Sequence, residues 1–267
     1  MIPKNIAIIG AGNIGISLAK GLVASGKFNA NRIALVKRNT ATITEFTKMG
    51  YIVSNDMKAS LENAEIIVLA VLPQQLNALL TEIQEHIIPK KHLLVSIVSG
   101  VPILDIIAKL KSEVQIIRAM PNTAIAIRES MTCIASENAK PENLDYVKAM
   151  FNSVGETIEI NEELMTSATA LCACGIAFFL RAIRAASQGG IELGFHSEEA
   201  LKMSVQTAKG AASLLKITGA HPENEIDKVT SPKGCTIAGL NEMESKGFSA
   251  ALIKGIKVSA KKAGELY

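Results

Sequence analysis

Two patterns of apolar positions alternate along the first half of the chain. Short runs rich in β-branched residues have the length of buried strands, and between them apolar residues recur at helical spacing, as at Ile14, Leu18 and Leu22. Gly26 and Gly50 stand where helices are expected to stop. The strand-like runs are Asn5–Ile9, Arg32–Lys37, Glu65–Ala70, His92–Ile97, Val114–Arg118 and Met131–Ala135. This alternation predicts an α/β fold with a doubly wound, mostly parallel sheet of the Rossmann type.

A last strand-like run, Glu156–Ile160, is followed by helical patterns only. Ser197, with two glutamates behind it, is expected to start one of these helices. We therefore predict two domains, a dinucleotide-binding domain at 1–160 and an all-helical domain at 161–267. Several of the predicted helices are apolar around most of their circumference, which predicts a homodimer or larger homo-oligomer that assembles through that domain. The predicted helices are Glu163–Gly189, Ser197–Ile217, Thr236–Lys246 and Phe248–Leu266.

The composition is that of a globular protein. Of 267 residues, 48% are apolar, 20% charged and 4% aromatic, and a net charge of +3 gives no reason to expect nucleic acid or membrane as a partner. The longest uncharged apolar stretch, Leu164–Leu180, is interrupted by polar residues and Gly175, so we interpret it as a buried helix rather than a membrane span. A strand expected within a few residues of Met1 leaves no room for a signal peptide, which predicts a cytoplasmic protein.

The cysteines and histidines follow no metal-ligand spacing. Cys172 and Cys174 are two residues apart in a helical stretch and point to different faces, so they cannot share a metal. The chain is therefore expected to hold no metal, and buried, reduced thiols are favoured over a disulfide framework. The residues concerned are Cys133, Cys172, Cys174 and Cys235, with His86, His92, His196 and His221.

A glycine-rich turn, Gly-Ala-Gly-Asn-Ile-Gly, follows the first predicted strand. Gly10 permits the tight turn, Gly12 allows a pyrophosphate to approach the backbone, and Gly15 allows close contact between helix and sheet. The helix N-terminus at Asn13 and Ile14 would face the phosphates. This context predicts a dinucleotide site; the alternative is a glycine-rich turn with no ligand.

The second predicted strand ends in Lys-Arg-Asn-Thr at residues 37–40, where an NAD site usually carries a carboxylate. Charge-assisted hydrogen bonds are worth about 1.5–3 kcal/mol each, so Arg38 and its neighbours should favour a 2′-phosphate. NADPH is therefore the predicted cofactor, with NADH possible. The alternative is that Lys37 and Arg38 are merely solvated.

A second anion site is predicted at residues 229–240. Pro232 and Gly234 shape a turn, and Thr236 is expected to open a helix whose free N–H groups attract a carboxylate. The hydroxyl of Ser231 and a neighbouring lysine would help, and no acidic residue lies in the segment. An ordinary turn and helix cap is the alternative.

Blocks across the whole chain, in the same order, resemble the pyrroline-5-carboxylate reductase family. That family reduces a cyclic imine to proline and pairs a Rossmann domain with a helical domain that interlocks with a second subunit. The resemblance implies that Ala70, Val71 and Pro73 line the cofactor cleft and that Asn122 lies near the nicotinamide. The implied substrate residues are Val229, Ser231, Gly234, Cys235 and Thr236. The matching blocks are Gly10–Gly15, Ala70–Gln74, Ser99–Val101, Arg118–Thr123, Val229–Leu240 and Glu244–Phe248.

The chain departs from the family pattern at several positions near the expected substrate. Leu72 replaces a lysine, Ala124 a proline, Lys233 a glycine, and Ala220 an acidic residue. The family's Ser-Gly-Ser-Gly-Pro-Ala-Tyr becomes Cys172–Phe178, a less polar stretch. These changes are compatible with a divergent member or with a paralogue that acts on another imine.

The predicted reaction is hydride transfer from the nicotinamide to the imine carbon of a small imino acid. A protonated imine is already electrophilic, so positioning can replace a strong acid, and Thr236 is the predicted catalytic side chain. One alternative is a reductase of another small imine or carbonyl acid, such as a β-hydroxyacid dehydrogenase. That class uses a lysine on a long helix where this chain carries Arg181 and Arg184. The other is a non-catalytic dinucleotide-binding regulator.

Overall fold

A computed structural model describes residues 4–267 and divides them into two compact units. The first, called the sheet unit, contains the described residues up to Cys174 together with Val258–Tyr267. The second, the helical unit, is Gly175–Lys257. The predicted domain boundary at residue 160 is the point where strands give way to helices, whereas the two units are defined by their compactness. The boundary at residue 160 therefore stays a prediction.

The sheet unit is built on eight strands in the order β3-β2-β1-β4-β5-β6-β7-β8. Neighbouring strands are parallel except at the β6–β7 pair, so β7 and β8 run against the other six. The strands are β1 Ile6–Ile9, β2 Ile33–Val36, β3 Ile52–Ser54, β4 Ile66–Leu69, β5 Leu93–Ser96, β6 Gln115–Met120, β7 Ser130–Ala135 and β8 Gly155–Glu159. The predicted doubly wound, mostly parallel sheet is confirmed.

Successive side chains of each strand enter cores on opposite faces of the sheet, as the two-residue period of a strand requires. Ile6 and Ile8 join one buried cluster, and Ala7 and Ile9 join the other. Helices cover both faces, so the central strands are buried throughout and contain apolar residues without alternation. The helices of this part are α1 Asn13–Ala24, α2 Glu45–Lys48, α3 Met57–Asn63, α4 Pro73–Ile83, α5 Ile103–Leu110, α6 Pro141–Asn152 and α7 Met165–Ala168.

Positive φ angles confirm the two predicted helix stops, with +72° at Gly26 and +87° at Gly50. Sequence analysis missed β3, a three-residue edge strand whose first residue, Ile52, is exposed. A short edge strand with one exposed face has too few apolar positions to produce a strand pattern.

The predicted helix Glu163–Gly189 is not continuous. Residues 169–174 form a π-helical turn between α7 and the next helix. The side-chain amide of Asn122 donates to the Cys172 carbonyl at 3.2 Å, and an outside donor to a helix carbonyl is one established cause of such a break. The remaining helices are α8 Gly175–Glu192, α9 Ser197–Thr218, α10 Pro222–Lys228, α11 Cys235–Ser245 and α12 Phe248–Ala263.

Helix α9 begins at Ser197 as predicted, whereas its predicted cap and the predicted start of α11 each need correction by one residue. The cap of α9 is His196 rather than Ser197, because its backbone N–H is bonded to the Glu199 carboxylate at 3.2 Å in a capping box. Helix α11 begins at Cys235 rather than Thr236, because Gly234 is the last residue with extended backbone.

The prediction that Leu164–Leu180 lies in a buried helix is wrong for the chain alone. In α8 only Gly175 and Ser187 are buried, and Phe179 is 64% exposed. Within residues 4–267, one helical stretch, Glu162–Glu192, has the length and apolar composition of a membrane span, and 28% of its most apolar part is buried. Its apolar composition therefore reflects a surface that this chain does not cover by itself.

Candidate active site

A cleft of about 660 Å³ opens at the carboxyl ends of β1, β2, β4 and β5. Strands β2 and β4 flank β1 on opposite sides, and β1 ends level with both, with Ile9 beside Val36 and beside Leu69. The chain thus leaves β1 at the point where the strand order reverses, which is where parallel sheets bind dinucleotides. The loops after these four strands supply most of the lining.

The three glycines of the first loop meet different surroundings. Gly10 has φ +98°, and a Cβ there would lie 2.6 Å from the Ala70 carbonyl oxygen. A Cβ on Gly15 would lie 2.7 Å from the Gly10 oxygen, whereas one on Gly12 would meet no atom within 4 Å. Gly10 and Gly15 are therefore required by the protein's own packing, and the space in front of Gly12 is open to a ligand.

The N-terminus of α1 forms part of the cleft floor. Gly12 caps this helix without a side-chain hydrogen bond, and the first turn contains no acidic residue. Asn13 and Ile14 both line the cleft. The first amides of a helix lack partners within it and carry the positive end of its dipole, so this floor favours an anion.

Cationic and amide side chains lie at the end of β2. Lys37, Arg38 and Asn39 all line the cleft. The Lys37 ammonium donates to the Thr42 hydroxyl at 3.0 Å, and the Asn39 side chain accepts from the Ala41 backbone N–H at 3.0 Å. This corner has the charge and hydrogen-bonding groups that a 2′-phosphate requires.

The opposite wall follows β4. Ala70, Val71 and Pro73 line the cleft as predicted, and the Ala70 N–H donates to the Ile9 carbonyl at 2.8 Å. Pro73 is the first residue of α4, a position that tolerates a missing N–H. Leu72 also lines the cleft and is 64% exposed, so the position where the family carries lysine faces this site.

Asn122 lies beside the cleft rather than on its lining, where its neighbour Thr123 is found. Its side-chain oxygen accepts from the Ala124 N–H at 3.0 Å, while its amide holds the Cys172 carbonyl. Its backbone N–H donates to the Ser130 hydroxyl at 3.0 Å. With its side chain engaged on both sides, Asn122 fixes the loop that carries Thr123.

Sequence analysis missed several lining residues. Ile97 and Ser99 follow β5, and the rule that carboxyl ends of parallel strands share one edge was enough to find them. No comparable signal marks the others, which come from loops and helix faces; they include Asn55, Met57, Gln75, Leu79, Glu82 and Thr123.

The predicted substrate residues lie in the turn between α10 and α11 of the helical unit and in the first two residues of α11. The Gly234 N–H donates to the Ser231 carbonyl at 2.9 Å, and Lys233 adopts the left-handed conformation with φ +60°. Gly234 caps α11 without a side-chain hydrogen bond, and the first turn of α11 has no acidic residue. The small anion site is predicted at the amides of this helix start, next to Thr236, and it stays a prediction.

The thiols are less uniformly buried than predicted. Cys133 is buried, Cys172 and Cys174 are half-buried, and Cys235 is exposed because it starts a surface helix. Among residues 4–267, no group of three or more histidine, cysteine or acidic side chains is placed to hold a metal.

Two family profiles cover most of the chain. The profile described as NADP oxidoreductase, coenzyme F420-dependent, matches residues 5–100, and the profile for pyrroline-5-carboxylate reductase dimerisation matches residues 162–266. Pyrroline-5-carboxylate reductase 1 of Dictyostelium discoideum is 50% identical over 99% of this chain, which spans about half of that relative's length. Pyrroline-5-carboxylate reductase 2 of the same organism is 45% identical over 98% of this chain and 93% of its own.

Solved structures give the same result. The pyrroline carboxylate reductase of Plasmodium falciparum, crystallised with NADP bound, has a TM-score of 0.91 at 25% identity and covers 100% of this chain and 99% of its own. The pyrroline-5-carboxylate reductase of Coxiella burnetii has a TM-score of 0.88 at 28% identity, with 98% of both chains covered. With 45% identity over nearly the full length of one relative, this chain belongs to the pyrroline-5-carboxylate reductase family.

Proposed function

We propose that this chain reduces 1-pyrroline-5-carboxylate to L-proline with NADPH. The observation that carries the cofactor half is the cleft at β1. Its glycine turn leaves open space at Gly12, a helix N-terminus free of acidic residues follows, and Arg38 lies at the 2′-phosphate corner. Membership of the family, together with the NADP in its Plasmodium relative, supports this cofactor and reaction.

The substrate half of the proposal rests on the turn before α11. Its backbone amides, with the hydroxyls of Ser231 and Thr236, suit the carboxylate of a small imino acid. Val229 and Gly234 belong to the same turn, Cys235 is the first residue of α11, and all three would shape the site. We propose that this turn holds the substrate acid and that the Thr236 hydroxyl orients the ring nitrogen.

The protein's task in this reaction is to position and shield the reactants. When bound, NADPH supplies the hydride that the imine carbon accepts. The amides of Asn13 and Ile14 would hold the pyrophosphate, and Val71 and Pro73 would form the wall of the cleft beside the bound cofactor. Because a protonated imine is electrophilic by itself, orientation can supply much of the rate enhancement without a strong acid.

We further propose that the working form is a homodimer or larger homo-oligomer. The dimerisation profile covers residues 162–266, and this region exposes large apolar side chains: Phe179 is 64%, Leu193 82% and Ile217 83% exposed. An exposed apolar surface of this kind is costly in water unless another protein surface covers it. A second copy of this chain is the proposed partner.

NADPH oxidation with 1-pyrroline-5-carboxylate, with proline identified as product, tests the reaction. Thr236→Ala should lower kcat by about ten-fold or more through lost orientation, with the unfolding free energy within about 1 kcal/mol of wild type. Thr218→Ala removes an exposed hydroxyl elsewhere on the helical unit and should keep wild-type turnover. Undiminished turnover in Thr236→Ala would remove the role of Thr236. Absence of turnover by wild type, or turnover only with another imine, would reject the substrate.

The cofactor preference is tested by Arg38→Ala. Loss of one charge-assisted hydrogen bond should raise the Kd for NADPH about ten-fold or more and leave the Kd for NADH unchanged. Lys58→Ala, which removes the same charge from an exposed position outside the cleft, is the matched control. Equal effects of Arg38→Ala on both nucleotides, or equal effects of the two variants, would contradict the assignment.

A further inference from the structure

Two thiols outside the proposed reaction lie in contact in the sheet unit. The Sγ atoms of Cys133, on β7, and Cys172, in the π-helical turn, are 3.7 Å apart although the residues are 39 positions apart in sequence. They share an apolar cluster with Met120, Met165 and Ala168. Sequence reasoning treated these cysteines as unrelated buried thiols.

The two sulfur atoms are close to disulfide distance. A disulfide needs about 2.05 Å between sulfur atoms, so closing the pair requires less than about 2 Å of relative movement. Cys133 is held in the middle of a strand, whereas Cys172 sits in a turn with π-helical geometry, which is less regular than the helices around it. Most of the movement would therefore come from the Cys172 side.

The thiols differ in reactivity. The hydrogen bond between them lowers the pKa of Cys172 to about 7, and the same bond, together with burial, raises the pKa of Cys133. Cys172 is also the more exposed of the two. A partly exposed thiolate attacks peroxides, while a protonated neighbour can resolve the product. Burial raises the pKa of Cys174, so it lacks this activation.

We propose that Cys133 and Cys172 are a modification site, a dithiol that hydrogen peroxide converts to an intramolecular disulfide. The Cys172 thiolate attacks one peroxide oxygen, the O–O bond breaks, and hydroxide leaves and is protonated to water. Cys133 sulfur then attacks the resulting sulfenic acid; the S–S bond forms, the S–OH bond breaks, and the Cys133 proton leaves with the hydroxyl as water. Two thiols lose two electrons, and one peroxide becomes two waters.

The disulfide would act on the cofactor cleft through one hydrogen bond. The Cys172 carbonyl accepts from the Asn122 amide, and Asn122 fixes the loop whose next residue, Thr123, lines the cleft. Pulling the π-helical turn towards β7 displaces that carbonyl and loosens the loop. Oxidation should therefore weaken NADPH binding, a consequence that rests on the proposed function.

Peptide mapping by mass spectrometry after peroxide treatment tests the disulfide itself. Blocking free thiols before digestion should reveal one cross-link, 133 to 172, that dithiothreitol reverses. Cys174→Ser and Cys235→Ser should keep this cross-link, and Cys133→Ser and Cys172→Ser should lose it. A cross-link to another cysteine, or overoxidation of Cys172 without any cross-link, would overturn the proposal. Mapping of wild type decides this even if a variant does not fold.

NADPH titration of the same samples tests the consequence. The Kd should rise about five-fold or more on oxidation of wild type and of Cys174→Ser, and should not change in Cys133→Ser, where no disulfide can form. An unchanged Kd in fully cross-linked protein would overturn the coupling to the cleft. Failure of the reduced protein to bind NADPH would instead count against the proposed function, and the mapping would still decide the disulfide.

Discussion

Truncation of Glu162 should expose how much of the sheet unit's stability depends on one buried ion pair. The Arg118 guanidinium on β6 donates to the Glu162 carboxylate at 2.8 Å, with only 4% and 13% of the two side chains exposed. The same carboxylate oxygen accepts the backbone N–H of Ile103, the first residue of α5, at 3.0 Å. One oxygen thus neutralises a buried cation and holds the start of a helix.

The magnitude follows from what each substitution leaves behind. Glu162→Ala leaves the guanidinium buried without an anion, which costs about 3–5 kcal/mol. Glu162→Gln also leaves the guanidinium without an anion but keeps an oxygen acceptor for both donors, so a smaller loss of about 1–3 kcal/mol is expected. The pair itself is imperfect: Arg118 Nε and Nη2 and Glu162 Oε2 have no hydrogen-bond partner among the described residues. Replacing both, as Arg118→Met with Glu162→Gln, should therefore stay within about 1 kcal/mol of wild type.

Urea unfolding at fixed protein concentration measures these differences, since an oligomer's apparent stability depends on concentration. Wild type and the double variant should have similar free energies of unfolding. Glu162→Gln should be less stable than both, and Glu162→Ala should be the least stable. A loss below 1 kcal/mol for Glu162→Ala, or a double variant that is less stable than Glu162→Gln, would refute the reasoning.

Three further predictions rest on single residues. The His92 ring is neutral in the fold, because its Nδ1 accepts from Ile88 N–H at 3.0 Å, its Nε2 contacts the Leu61 carbonyl at 3.1 Å, and burial lowers its pKa. Its stabilising contribution is present above pH 6.5 and is lost as the pH falls from there towards the lowered pKa, by at most about 1.4 kcal/mol per pH unit. The stability gap between wild type and His92→Gln in urea should therefore be smaller at pH 5.5 than at 7.5, and an equal gap would reject this. Lys233→Gly should raise the thermal midpoint and stabilise the protein by about 0.5–1 kcal/mol, because φ +60° strains a residue with a Cβ. Lys111→Gly, at φ +50°, should have the same effect. A lower thermal midpoint in both variants would contradict the strain argument. Gly155→Ala should cost at least about 2 kcal/mol by urea unfolding, because at φ +151° its Cβ would overlap the Ser130 backbone, and a neutral result would show that β7 and β8 can separate at little cost.

The fold could be predicted from sequence because its central strands β1, β2, β4 and β5 are buried on both faces. Such strands are largely continuous apolar runs. Seven of the eight strands, all except β3, were found within a few residues of their ends. The glycine motif gave the cofactor loop for a related reason. Gly10 and Gly15 are each fixed by a local steric demand, such as the 2.6 Å approach at Gly10, that a residue with a Cβ does not satisfy.

The rest could not be predicted because it depends on contacts between distant residues. The π-helical turn at residues 169–174 is held by the amide of Asn122. The sequence of neither segment indicates that the two are in contact. The contact between Cys133 and Cys172 arises in the same way, from β7 lying beside that turn. The apolar face of α8 was predicted to be buried by its own chain, although composition alone cannot distinguish an internal partner from an external one.

Two of the departures from the family pattern, at Ala124 and Lys233, fall on residues that set backbone geometry. A proline has no N–H, so the bond from Ala124 N–H to the Asn122 side chain exists only because this chain lacks proline there. The Asn122 side-chain oxygen accepts this bond, and the Asn122 side-chain amide donates to the Cys172 carbonyl. Both ends of the Asn122 side chain therefore hold the loop in place. Lys233 takes a conformation in which glycine is unstrained. Neither of these two changes touches the phosphate loop at Gly12, so their effects should appear in substrate and redox behaviour before they appear in nucleotide binding.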